Sequence, residues 1–395
     1  MADCCIIGGG VIGLSIAREL AGRGATVRVL ARGDGRDAAS WAAVGIFPPA
    51  PDWAGNPPHA ALTAWSDRLH RQWAVELLAE TGIDNGLRQC GGLHVAHDAE
   101  ALERLRGSAR DWAARGTVCR ELDGPSLAAC EPALAGAVTR GTLVGAILLP
   151  EEQSLRSPRH LRALEASCRL RGVEVARGAE VFDVRRIGGR VAGVVARIGG
   201  MDETVTADTF ILAAGAWTSG LGVAWGLDIA TRPIRGQIAL LALPRQVLTR
   251  VVNRGLEYLV PRDDGHLLVG STLEDVGFEP TTTDAAIGRL LALAGDLLGD
   301  AARLPPARTW AGLRPGSVDG LPTIGPVPGL DNAFVAAGHF RAGLHQSTGT
   351  AVMVADMVTG GMPAVDPGFF AADRPPAPPT ADSVAAYLAR AAAEG

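Results

Sequence analysis

The chain is 395 residues long, enough for two or three domains and a core able to bury a large ligand. Apolar residues make up 47% and charged residues 20%, with 51 glycines, which suits a globular α/β protein with many tight turns and excludes a disordered or fibrous chain. The net charge of −5 is spread without a basic block, so neither a nucleic acid nor an anionic membrane is expected as a partner.

The six cysteines, Cys4, Cys5, Cys90, Cys119, Cys130 and Cys168, show no CxxC spacing and no metal-site pattern, so reduced thiols and no metal are expected. No apolar run approaches the roughly 20 residues of a spanning helix, and the N-terminus enters an apolar strand without a basic flank or cleavage site. A cytoplasmic protein is expected.

Cys4-Cys5-Ile6-Ile7 is a short apolar run ending in Gly8-Gly9-Gly10, and Ile12, Ile16 and Leu20 then recur at helical spacing. Residues 26–30 are β-branched and apolar and read as a second strand, parallel to the first, which makes a βαβ unit. Helices are expected over 60–81 and 99–115, with a strand at 91–96 between them. Ser157 as cap and Pro158 at the first helical position suit a helix over 159–171. Strands alternate with turns over 173–184 and 191–196, and 209–212 forms another strand. A β-rich section runs from 234 through 258–260 to 267–270, then a Leu-rich helix over 283–298, a strand at 335–338 and a helix from 344 to 358. The stretch 374–379 reads as a Pro-rich linker to a short C-terminal helix.

Gly8, Gly10 and Gly13 fit GxGxxG after a strand and at the opening of a helix, the context that motif requires. Gly8 permits the tight turn, Gly10 lets the backbone approach a pyrophosphate, and Gly13 lets helix and strand pack closely. The helix start offers unpaired N–H groups and partial positive charge to phosphates. The acidic residue expected at the end of the second strand would fall at Ala31, so no carboxylate meets a ribose there. Arg32 follows, and its charge also suits the 2′-phosphate of NADP. The loop by itself leaves FAD, NAD and NADP open.

Three further segments narrow the choice: Ala39-Ser40-Trp41-Ala42-Ala43-Val44-Gly45; Trp310-Ala311-Gly312-Leu313-Arg314-Pro315-Gly316 with Asp319-Gly320-Leu321-Pro322 behind it; and Gly338-His339-Phe340-Arg341-Ala342-Gly343. With the loop they resemble the D-amino-acid oxidase superfamily, most closely the glycine oxidases associated with thiamine biosynthesis, over residues 4–361. The resemblance implies an α/β fold with a discontinuous, doubly wound, Rossmann-like FAD-binding domain (1–85, 150–230 and 306–365). It implies a second, α+β substrate domain built on an antiparallel or mixed sheet (86–149 and 231–305), leaving 366–395 as linker and C-terminal helix. Some D-amino-acid oxidases also carry Ala at the end of the second strand.

The family also implies non-covalent FAD. Its expected contacts are Gly8, Gly10, Val11, Ile12, Gly13, Arg32 and Ser40, with the means of holding the ribose left open, and Ala43, Val44 and Gly45 near the flavin ring. Val181 is expected to meet adenine through its backbone, with Ala213, Ala214, Gly215 and Trp217 closing over the ADP part. Gly338, His339, Arg341, Ala342, Gly343 and Leu344, together with Arg314, would lie against the flavin. A helix N-terminus there would favour the negative charge of reduced flavin by about 0.3–2 kcal/mol.

Oxidation at a Cα–N bond needs the substrate's carboxylate and amine both held, and a guanidinium grips a carboxylate through two parallel hydrogen bonds. Arg314 matches the family arginine in that role, Tyr258 a tyrosine whose hydroxyl reaches the same carboxylate, and Arg341 a residue beside the substrate. The plainer readings are a surface ion pair for Arg314, a ring packed in a strand for Tyr258 and a packed, hydrogen-bonded histidine for His339. No general base is evident, and none is needed if a neutral amine gives up hydride directly, since the cofactor carries the chemistry. Ile46 and Leu273 stand where glycine oxidases often carry methionine, and Ala342 where asparagine is usual. The expected activity is oxidation of a small, glycine-like amino acid with O₂ reduced to H₂O₂. The alternatives are a D-amino-acid or N-methylglycine oxidase, a dehydrogenase with another acceptor, a flavin-carrying structural subunit and an NADP-dependent dehydrogenase. The family favours a homotetramer.

Overall fold

A computed structural model describes residues 2–36, 38–52, 55–375, 378–380 and 383–394. Cys4, Cys5, Ile6 and Ile7 are all buried, as a strand covered on both faces requires. That strand, Ala2–Ile7, lies inside a six-stranded sheet ordered Thr323–Pro326, Ala333–Ala337, Ala207–Leu212, Ala2–Ile7, Val27–Ala31 and Glu174–Arg177. Every pairing is parallel except that between the first two strands.

On one face of this sheet, helix Val11–Gly22 packs against helices Ser347–Val358 and Ser157–Leu170, burying Leu14, Ile16, Leu164 and Val354 in one core. The other face is covered by an antiparallel meander, Ala179–Ile187, Arg190–Ile198 and Met201–Val205, and by the short helix Thr218–Ala224. Cys5 and Cys168 belong to these layers, and burial pushes both thiols up to about 12.

The second layer is an eight-stranded sheet ordered Arg308–Gly316, Arg232–Ala242, His266–Gly270, Glu257–Pro261, Val251–Arg254, Gly92–Ala96, Gly145–Leu149 and Arg120–Asp123. It is mixed, because Val251–Arg254 runs parallel to Gly92–Ala96 while its other pairings are antiparallel. Helix Asp284–Leu298 buries Leu290, Leu293 and Leu297 against one face, and the opposite face looks toward the six-stranded sheet across a large cavity. No helix among the described residues is long and apolar enough to cross a membrane.

Several boundaries differ from the sequence reading. Residues 308–316, grouped there with the cofactor domain, form a strand of the eight-stranded sheet, paired along its length with Arg232–Ala242. Within the stretch 173–184, where strands and turns are expected to alternate, the break falls at Gly178, whose φ of +77° turns the chain out of the six-stranded sheet and into the meander. Helix Ser157–Leu170 takes the buried Ser157 as its first residue and Arg156, which has no side-chain acceptor, as N-cap. The helix expected from 344 begins at Ser347, since 339–346 form turns whose carbonyls are held from a distant helix. Part of the linker expected at 374–379 falls outside the described residues.

Thr283 caps helix Asp284–Leu298 by accepting from Ala286 N and also accepts from Gln237 Nε2 at 3.3 Å. Thr283→Ala is expected to cost about 0.5–2 kcal/mol, seen as a drop of about 1–3 °C in the thermal midpoint; an unchanged midpoint would show the cap to be idle.

Candidate functional site

The strand Ala2–Ile7 ends at Gly8, whose φ of +123° aims the chain into the helix. A Cβ there would stand 2.2 Å from the Ala213 carbonyl oxygen, and one on Gly13 1.9 Å from the Gly8 carbonyl oxygen. Only hydrogen fits at either position. A Cβ on Gly10 would meet only Ser40, at 3.1 Å from Oγ, so this residue leaves its approach open toward the cavity. Ser40 Oγ accepts from Val11 N at 3.0 Å, tying the helix start to the segment behind it. No carboxylate occupies the first turn of helix Val11–Gly22, so its positive end is available to an anion.

At the end of the second strand, Ala31 is buried and the Arg32 guanidinium lies 4.3 Å from the centroid of the Trp217 ring. The carboxylates that line this part of the cavity are Asp34, Glu165 and Glu180, not a residue at 31. Glu165 accepts from Arg177, which also donates to the Gly33 carbonyl at 3.0 Å.

The cavity measures about 1240 Å³ and lies between the glycine loop and the eight-stranded sheet. Every residue proposed from the sequence as a cofactor or substrate contact lines it except Gly13, which packs helix on strand, and Gly338, which turns the chain with φ of +77°. A glycine-shaped cradle at a helix start, opening into a cavity of this size, fits a dinucleotide.

On the sheet side, Arg314 reaches inward from strand Arg308–Gly316. Its Nη2 donates to Ser271 Oγ at 2.7 Å and Nη1 to the Thr272 carbonyl at 3.3 Å, and the Tyr258 hydroxyl is a further partner. Protein surrounds the guanidinium, and the surface it exposes is cavity wall. Burial therefore pulls Arg314 below its usual range; Tyr258 opposes this, and the charge of Arg341 adds to it. Among the described residues no carboxylate lies within ion-pair distance of Arg314. A cation whose hydrogen-bond partners are two hydroxyls and a carbonyl, and which faces a cavity, can receive an anion.

Two glycines make this possible, and the sequence reading missed both. A Cβ on Gly236 would lie 2.2 Å from the Arg314 terminal nitrogens, and one on Gly270 2.8 Å from Tyr258 Cε2. Glycine inside a strand marks such close approach, which was the available signal. Gly270 stands opposite Tyr258 in the register, and Gly236 opposite Gly312. The segment that supplies Ser271 and Thr272 is fixed by Glu274, which accepts from Arg235 Nε at 3.0 Å and Gln237 Nε2 at 2.8 Å.

The turn after strand Ala333–Ala337 closes the cavity. Phe340 has φ of +47°, a left-handed conformation uncommon for a bulky residue. Beneath it His339 is buried, its Nε2 3.0 Å from Thr350 Oγ1, and burial pushes its imidazole down to about 3. It is therefore neutral and packed, which agrees with its plainer reading. His70 Nε2 sits 3.0 Å from the Leu344 and His345 carbonyls, and His345 Nε2 3.2 Å from Asp67 Oδ1. Burial opposes ionisation of Asp67, but hydrogen bonding from His345 and the charge of Arg71 hold its carboxyl below the usual range. These buried partners of the turn carried no sequence signal, because their contacts are long-range.

Comparison with known proteins agrees with this architecture. The model of the DAO family, FAD dependent oxidoreductases, matches residues 3–357. The chain is 36% identical to the glycine oxidase of Pseudomonas aeruginosa, over 93% of this chain and 97% of that protein. Its structure superposes on the crystal structure of glycine oxidase from Geobacillus kaustophilus with a TM-score of 0.87 at 31% identity, covering 95% of this chain and 99% of that one. It also resembles the iminodiacetate oxidase of Chelativorans sp. BNC1, with a TM-score of 0.82 at 25% identity over 95% of this chain and 100% of that one.

Two outcomes are expected. Gly236→Ala displaces a flexible side-chain end rather than backbone, so the fold and cofactor should survive while affinity for acetate, read through the flavin band, weakens about tenfold or more; unchanged affinity would separate Arg314 from anion binding. His339 and His160 are both held at about 3 in the folded protein against 6.5 when unfolded. The unfolded chain therefore binds more protons below pH 6.5. The stability is fully present above that value and is lost as pH falls toward 3, by up to about 1.4 kcal/mol per pH unit for each group. His339→Gln should flatten the dependence of the thermal midpoint between pH 7 and 5; an equally steep profile would contradict this.

Proposed function

Because the chain belongs to the DAO family of FAD dependent oxidoreductases, we propose that it oxidises a small, glycine-like amino acid at its Cα–N bond. The observation that carries this reading is Arg314, a buried cation without a carboxylate partner among the described residues, in hydrogen-bonding contact with Tyr258 on the wall of a dinucleotide-sized cavity. Glycine loop, helix start and the turn 338–344 would hold FAD non-covalently.

Arg314 binds the substrate carboxylate, and the Tyr258 hydroxyl adds a further hydrogen bond to it. Anchored at that end, the amino acid can present one face of Cα to the cofactor, which removes most of the orientational freedom that would otherwise oppose reaction. Arg341, whose charge is felt at Arg314, adds to the field that draws an anion inward. When bound, FAD supplies the two-electron acceptor for the hydride leaving Cα, with O₂ as terminal oxidant giving H₂O₂. The amine nitrogen enters neutral, so its lone pair becomes the new C=N bond as hydride leaves and no base is required; water then hydrolyses the resulting protonated imine to glyoxylate and ammonium. The helix after the turn begins only at Ser347, so the charge expected at its N-terminus acts from further away than the sequence reading placed it.

Recording the visible spectrum anaerobically, before and after adding glycine, tests the reading. A flavin band that bleaches supports it; a band unchanged by glycine but bleached by a D-amino acid or N-methylglycine would move the substrate, and rapid bleaching with slow reoxidation in air would replace O₂ by another acceptor. A protein without a flavin band would overturn it. Arg314→Ala should retain FAD and lose at least about 100-fold in kcat/KM; parental turnover would remove the clamp from the mechanism.

A further inference from the structure

Resting on the reading of this cavity as an amino-acid site, we infer that the pocket takes amino acids bearing a second anionic group, recognised by Arg341 together with Tyr387 and Arg390 of the C-terminal helix. Helix Val384–Glu394 is seated at the end of the strand that carries Arg314. Val384 is buried against Ile234 and Phe340, with Leu273 and Leu388 packed beside it. Val384 N donates to the Ser317 carbonyl at 3.3 Å, and a Cβ on Gly316 would stand 2.4 Å from Val384 Cγ2, so that glycine makes the seat.

This anchoring brings the next turn of the helix to the cavity. The Tyr387 ring meets Phe340 edge-on at 5.4 Å between centroids. The Arg341 guanidinium lies 4.7 Å from the Tyr387 ring centroid, and that of Arg390 4.0 Å from the same centroid. All three side chains line the cavity. One aromatic ring thus gathers two guanidinium groups that would otherwise repel each other, an arrangement that cation–π attraction sustains.

The charge is graded along the cavity. Arg314 lies deep and meets the carboxylate common to all amino acids, while Arg341 and Arg390 stand exposed at the mouth. Glycine has nothing to offer them. A second carboxylate, joined through the nitrogen or through Cα, would extend from the anchored end toward these two cations and the Tyr387 hydroxyl. Such charge-assisted contacts discriminate by charge, not by size, and they raise the rate of encounter with dianions.

Non-reacting ligands test this apart from turnover. The FAD-loaded protein is titrated with methoxyacetate and with diglycolate, which differ in the second carboxylate and have no C–N bond to oxidise, following the perturbation of the flavin band. Diglycolate is expected to bind at least about tenfold more tightly at low salt, with the advantage shrinking as ionic strength rises. Arg390→Gln should remove most of the advantage, Arg390→Lys should keep part of it, and Tyr387→Leu should lose it by releasing both cations. These ratios are scored on variants whose flavin spectrum matches the parent. Equal affinities in the parent, or an undiminished ratio in Arg390→Gln, overturn the inference. Whether glycine bleaches the flavin is a separate titration, so the two readings fail separately.

Discussion

Arg314 is a full charge held inside the protein by neutral groups, and much of the surrounding structure follows from that. Removing a guanidinium from water is costly unless its hydrogen-bonding capacity is met. Here Ser271 Oγ, the Thr272 carbonyl and Tyr258 meet part of it. The segment that supplies two of these partners is in turn pinned by the Arg235, Glu274 and Gln237 network. Arg314 also lines the cavity, so this charge faces the space between the two layers. The sheet is thinned by glycine at 236 and 270 so that charge and ring can lie flat against it.

The strand Arg308–Gly316 joins the two layers physically. It is an edge strand of the eight-stranded sheet, yet Trp310 Nε1 donates to the Ala42 carbonyl at 3.2 Å and a Cβ on Gly312 would meet the Ala42 Cβ at 2.4 Å. The strand that carries Arg314 and the segment 39–45 are therefore parts of one packed interface. A shift of either layer moves both.

What could be read from the sequence was what residue type alone imposes. Gly8 and Gly13 are legible because backbone contacts of about 2 Å admit no side chain, and that demand recurs wherever the motif does. Arg314 and the turn at 338–343 are legible because several unusual residues stand together. What escaped depends on register and distance. Gly236 matters only because of what lies beside it across the sheet, and the membership of 308–316 in that sheet depends on pairing with a remote strand. The late start of the helix at Ser347 depends on His70, which holds two carbonyls of the turn from another helix. The C-terminal helix was legible as a helix, but nothing in its composition placed Tyr387 and Arg390 at the cavity.

The buried cysteines bear on how such a molecule would withstand peroxide. Peroxide attacks thiolate far faster than thiol, and Cys5 and Cys168, held up to about 12 by burial, present almost no thiolate at neutral pH. Cys5 lies in the strand that leads into the glycine loop, and the Cys168 thiol donates to the Leu14 carbonyl at 3.3 Å in the helix that follows the loop. Under the proposed use of O₂, these two buried sulfur atoms would meet any peroxide in their least reactive form. Inactivation over many turnovers should begin elsewhere, at the half-buried thiols and the exposed methionines.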